Sequence, residues 1–250
     1  MKRKLFLYAA LALIVASCAT KKDVLYNQDQ STGNLLKEYQ NLTLQKGDIL
    51  DIKISALNPE SVVVFQKTTG LQQNIQPEAL KIQGYLVDAH GLIELPLIGN
   101  VNVLGLSSSA VEDLLETKLS TYVIDPVVTV RLVNYKITVL GEVARPGTFT
   151  FLEERMTLPM VLGTAGDLTI NGDRRNVQVV RTQGDSLVGQ QLDLTRGDLT
   201  NSPYYYMQQN DLIYVGPNTA KVKSSGLVGN VGTLTSVLSL ILSLTLVLTR

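Results

Sequence analysis

A chain of 250 residues, 45% of them hydrophobic and few aromatic, has room for two small domains or one large one. Its 22 basic residues balance its 22 acidic ones, so it offers no basic field for nucleic acid. One cysteine excludes an intramolecular disulfide, and one histidine, His90, leaves a histidine-based metal site or a Ser-His-Asp triad a single residue to lean on.

Met1-Lys2-Arg3-Lys4 is a short basic start, and Leu5 to Val15 is an apolar run. That run falls short of the ~20 residues a bilayer span needs, so it reads as a cleavable export signal over residues 1–17. Val15-Ala16-Ser17-Cys18 resembles the lipobox of bacterial lipoproteins. The resemblance implies cleavage before Cys18 and a lipid on its thiol, with several acyl chains giving stable anchoring. Losing Lys2, Arg3 and Lys4 with the signal makes the mature chain slightly acidic. Residues 18–41 are mostly polar and read as a tether.

From Leu42 the pattern turns globular. Gly47-Asp48 signals a turn, and Leu50, Ile52 and Ile54 alternate with Asp51, Lys53 and Ser55, as in a strand with one buried face. Tyr85-Leu86-Val87 is a short strand, and Asp88-Ala89-His90-Gly91 makes a turn into Leu92–Pro96. This places His90 in an exposed turn. A helix is expected with Ser109 as cap and Glu112 closing a capping box, its buried stripe running Val111, Leu114, Leu115, Leu119, Tyr122. It stops before Asp125-Pro126. Two β-rich runs, 127–133 and 136–143, flank a break at Asn134-Tyr135, where a domain boundary is expected. Arg145-Pro146-Gly147-Thr148 is a tight turn, a short helix begins near Leu158, and Gly166 is placed to end it. Strands follow at 176–181 and 211–215. Gly47-Asp48-Ile49-Leu50-Asp51-Ile52 is echoed by Asn210-Asp211-Leu212-Ile213-Tyr214-Val215, through duplication or through shared turn chemistry.

The last stretch carries no charge from Ser224 to Thr249. Its apolar part, Leu234 to Leu248, would extend only ~22 Å as a helix, which suits a thin membrane best. At about 100° per residue, Gly232, Ser236, Ser239 and Ser243 share one face, with Leu234, Val237, Ile241 and Leu244 opposite. The small residues either let helices pack closely or line a wet lumen, and both readings need several copies of the chain. Gly226, Gly229 and Gly232 suggest a pliable join.

Together the motifs resemble a known family. Gly84-Tyr85-Leu86-Val87-Asp88, Gly91-Leu92-Ile93-Glu94-Leu95-Pro96-Leu97-Ile98-Gly99 and Asp125-Pro126-Val127-Val128-Thr129-Val130 look like the polysaccharide export domain of Wza-type outer-membrane exporters. Gly141-Glu142-Val143-Ala144-Arg145-Pro146-Gly147, Ala165-Gly166 and the strand ending at Val215 resemble the soluble-ligand-binding β-grasp (SLBB) domain that follows it. The resemblance covers roughly residues 42–216. It implies an α+β chain: an export domain (42–134), one β-grasp domain (135–216), a flexible linker (217–230) and a C-terminal membrane helix (231–250). It further implies a homo-oligomeric ring lipid-anchored in the outer membrane, periplasmic globular domains, a polysaccharide substrate and an inner-membrane co-polymerase of tyrosine-kinase type as partner. Well-known members carry two β-grasp repeats and this chain has room for one, so a shorter vestibule is expected.

No phosphate-cradling Gly-x-x-x-x-Gly-Lys-Ser/Thr is present, so nucleotide hydrolysis has no support. Adjacent Glu153 and Glu154 read as solvated charge rather than a glycosidase acid pair. Tyr204-Tyr205-Tyr206 could stack on sugars, although ring packing competes as an explanation. Neither enzyme activity, a metal site nor a cofactor beyond the covalent lipid is expected. The rival reading is a non-channel lipoprotein that binds glycan or peptidoglycan.

Overall fold

In the computed structural model, the alternation of Leu50, Ile52 and Ile54 becomes strand β1 (Ile49–Ser55), whose buried residues fall on one face. The structure describes residues 26, 42–65, 84–184, 186–225, 232, 235–237, 239, 240 and 243. Cys18 and the signal region lie outside the described residues.

The first unit is built on a three-stranded antiparallel sheet ordered β2-β1-β5, with β2 at Tyr85–Leu86 and β5 at Val127–Leu132. A hairpin of β3 (Leu92–Leu95) and β4 (Gly99–Asn102) follows the Asp88 turn. Helix α1 (Ser108–Leu119) buries Val111, Leu115 and Leu119. Its cap is Ser107, two residues before the expected Ser109, with the Ser107 hydroxyl accepting the Ala110 N–H. Nor does Glu112 close a capping box. Its carboxylate accepts the Val130 N–H at 2.8 Å, and Glu116 accepts that of Val128 at 2.9 Å. The helix thus satisfies two backbone donors on the outer edge of β5, groups that would otherwise invite another strand. Tyr122 lies past the helix end and is exposed, resting its ring near Phe65.

The second unit is a mixed five-stranded sheet ordered β7-β6-β10-β8-β9. Its strands are β6 (Lys136–Gly141), β7 (Gly147–Thr150), β8 (Gly172–Gln183), β9 (Ser186–Leu192) and β10 (Leu212–Pro217). β6 and β10 pair in parallel and the other neighbours pair antiparallel. Helix α2 (Leu158–Thr164) buries Leu158, Val161 and Leu162. It ends at left-handed Gly166 (φ +82), where the Asp167 N–H returns to the Leu162 carbonyl. Gly141 is fixed by close approach: at φ +91, a Cβ there would lie 2.0 Å from the Val215 carbonyl oxygen.

The molecule is therefore mixed α and β, rich in sheet. Beyond β10, the stretch expected as a linker begins with helix α3 (Thr219–Ser225), because the Asn218 side chain caps it by accepting the Lys221 N–H. Gly232, Ser236, Ser239 and Ser243 are helical and exposed. The three Ser hydroxyls donate back to helix carbonyls, Ser236 to that of Gly232 at 2.8 Å. Among the described residues, no helix is long and apolar enough to cross a membrane.

Candidate functional site

Three surfaces of the two units are candidates for function. The first is a groove of about 610 Å³ on the first unit, lined by Tyr85, Leu86, Glu94, Leu95, Pro96, Leu97 and Gly99. Most of these residues belong to the motifs singled out in the sequence. β2 supplies Tyr85 and Leu86, and the β3–β4 hairpin presents the others around a three-residue turn in which the Ile98 N–H bonds the Pro96 carbonyl at 2.8 Å. That geometry puts Leu97 at φ +64 with its side chain 69% exposed. An apolar rim of Leu86 and Leu97 beside the Glu94 carboxylate can receive the C–H face of a sugar and bond a hydroxyl. Behind the hairpin, Asp88 Oδ1 accepts the His90 and Leu92 N–H groups, and these backbone bonds, Leu92's first, hold its carboxyl below the usual range. His90 is exposed in this turn.

The second surface is a polar groove of about 550 Å³ on the second unit, where Gln190, Gln191, Asp193, Arg196 and Asp198 are prominent. Its planar amides, carboxylates and guanidinium suit sugar hydroxyls. Sequence reading missed it because β9 buries only Leu192, so the strand carries no alternating signal.

The third is the polar seam joining the units. Asn134 accepts the Ile49 N–H at 2.9 Å and donates to the Gly47 carbonyl at 2.9 Å. Gln209 donates to the Asn134 carbonyl and accepts the Lys136 N–H. The fully buried Tyr135 donates its hydroxyl to the Met207 carbonyl. Ser108 donates to the Glu154 carboxylate at 2.6 Å, which corrects the expectation of a solvated Glu153-Glu154 pair: Glu154 is half-buried between the units, and only Glu153 is exposed. Asp48 is 1% exposed at this seam. Burial, first, pushes its carboxyl up to about 6, with Glu154 adding to the effect and the Gln45 and Gln209 donors opposing it.

The tyrosine run divides. Tyr204 is buried, and the Arg181 guanidinium covers its ring at 4.7 Å, so this ring packs inside the unit and has no open face for a sugar. Tyr205 and Tyr206 are half-buried and meet edge to face at 5.2 Å. Among the described residues, no three His, Cys, Asp or Glu side chains are grouped to hold a metal.

Comparison with known proteins agrees with this layout. Residues 36–133 match the polysaccharide biosynthesis/export protein family and residues 136–190 match the SLBB domain, together more than half of the chain. The EPS I polysaccharide export outer membrane protein EpsA of Ralstonia nicotianae is 30% identical over 162 residues, 62% of this chain and 42% of that protein. The capsule polysaccharide export outer membrane protein CtrA of Neisseria meningitidis serogroup A is 30% identical over 181 residues, 66% of this chain and 46% of that protein. The chain thus spans less than half the length of these relatives.

Proposed function

Because this chain belongs to the Wza-type polysaccharide biosynthesis/export family, we propose that it is a subunit of an outer-membrane conduit for capsular or extracellular polysaccharide. Copies form a homo-oligomeric ring anchored by lipid on Cys18, the globular units enclose a periplasmic vestibule, and the terminal segment 231–250 forms the exit. The observation that carries this reading is the export-domain match followed at once by an SLBB match, in the company of relatives named as outer membrane export proteins. The conduit is passive: the sequence offers no nucleotide-binding loop, so an inner-membrane co-polymerase supplies the drive. In this setting the seam has a mechanical task. Bonds from Asn134 and Gln209 fix one unit against the other, so that neighbouring copies meet a single shape. Tyr205 and Tyr206, the Leu86–Leu97 rim and the polar groove at Gln190–Asp198 brush the passing sugar. The Gly232, Ser236, Ser239, Ser243 face turns to the lumen.

Deleting residues 231–250 tests the reading. The shortened chain should remain folded and lipidated while surface polysaccharide disappears. Normal polysaccharide at the surface of that strain would contradict it.

A further inference from the structure

Tyr26 lies in the segment expected to be a plain tether, yet it sits in a built site on the second unit. Its hydroxyl donates to the Asp167 carboxylate, and the Arg174 guanidinium lies 5.6 Å from its ring centroid. Asp167 is prepared for this role. It holds a left-handed backbone (φ +66), and its Oδ1 also accepts the Leu168 N–H. Arg174 is 6% exposed. It donates to the Leu168 and Thr169 carbonyls, while among the described residues its buried Nε has no partner. A buried cation short of acceptors gains from an aromatic face laid over it. Burial, with the Asp167 carboxylate next, drives the Tyr26 phenol well above its ordinary range, so it stays a donor at any physiological pH.

The same loop holds the other end of the chain. Asn218, the cap of α3, donates its N–H to the Asn171 carbonyl and its side-chain amide to that of Ile170 at 2.9 Å. Residues 167–174 therefore hold both Tyr26 and the start of the C-terminal segment.

We infer that Tyr26 is a latch that docks the N-terminal segment on the Asp167–Arg174 loop, so that the lipid anchor and the C-terminal segment leave the protein from one edge of the β-grasp unit. The consequence for anchoring rests on the reading of Cys18 as the lipidated residue. From Cys18 to Tyr26 the chain can reach about 28 Å at most, against about 80 Å from Cys18 to Leu42 without the latch. The latch thus shortens the free tether between Cys18 and the β-grasp unit by about two thirds.

Spin labels at Gln28→Cys and Gln178→Cys in the full-length, detergent-extracted protein read the latch as a distance. Gln178 is an exposed position on the rigid strand β8. The chain with Tyr26 intact should give one narrow distance distribution, and Tyr26→Ala should lose that peak to a broad one. A broad distribution with Tyr26 intact, or an unchanged narrow one in Tyr26→Ala, overturns the inference. The mass of the N-terminal peptide reports the lipid separately. An unmodified Cys18 would end the anchoring consequence, and the latch itself would then be read in the same way on the Cys18→Ala chain.

Discussion

The turn into β1 and the turn into β10 are built alike and charged differently. In each, an Asp follows a left-handed residue, Gly47 (φ +85) or Asn210 (φ +64). In each, Oδ2 of the Asp accepts the N–H three residues back, from Gln45 at 2.8 Å or from Gln208 at 2.7 Å. Asp211 also has a full partner: Arg181 binds both of its oxygens, at 2.9 and 2.7 Å, and spans to the Pro203 and Tyr206 carbonyls. Burial still raises the Asp211 carboxyl, and Arg181 opposes it. Among the described residues, Asp48 has no such cation, and its Oδ1 lacks a partner in hydrogen-bonding geometry. The sequence echo thus places one turn geometry in two electrostatic surroundings. One turn is locked inside the β-grasp unit. The other, at the seam, carries an acid that burial pushes up.

Arg181→Ala breaks the locked turn and should have the largest effect. It leaves the buried Asp211 carboxylate without its cation and, among the described residues, with only the Gln208 N–H, for a loss of about 3–5 kcal/mol in urea unfolding of the full chain. A loss below about 1 kcal/mol would mean the pair is not structural.

Asp48 tests the other turn through pH. Its carboxyl is raised from the ordinary 3.8 to about 6, so the folded chain holds this proton where the unfolded chain has released it. The contribution of Asp48 to stability is therefore highest below pH 4 and declines as the pH rises to 6. Asp48→Asn should remove that decline and add on the order of 2–3 kcal/mol at pH 7. Unfolding midpoints at pH 4, 5, 6 and 7 read it directly, and parallel pH profiles for the two chains would contradict the assignment.

Smaller effects belong to the first unit's edge. Glu112→Ala leaves the Val130 N–H without its acceptor and should cost about 1–3 kcal/mol. Ser107→Ala removes the helix cap for about 1 kcal/mol. If Ser109→Ala proved the costlier of the two serine changes, the cap would be misplaced.

What the sequence disclosed follows the same physics. β1 was legible because Leu50, Ile52 and Ile54 share a buried face. α2 was legible because Gly166 marks its end. The α1 cap was off by two residues because Ser107, Ser108 and Ser109 are alike as caps, and only the packing of Val111, Leu115 and Leu119 chooses among them. β7 hid beside the Arg145–Thr148 turn signal, and β9 hid because it buries almost nothing. Of the candidate sites, the Tyr85–Gly99 groove lay within the motifs already quoted. The seam and the Tyr26 latch depend on contacts between residues about 40 to 150 positions apart, such as Tyr26 with Asp167, and such contacts leave no local pattern. Glu154 was misread for that reason: its partner Ser108 belongs to the other unit.

The central claim, that copies of this chain build a conduit, is tested most directly by imaging the detergent-extracted native protein at low resolution. The account predicts a closed ring of several subunits around a central cavity. A monodisperse monomer with measurable affinity for glycan would contradict it and favour a binding lipoprotein instead.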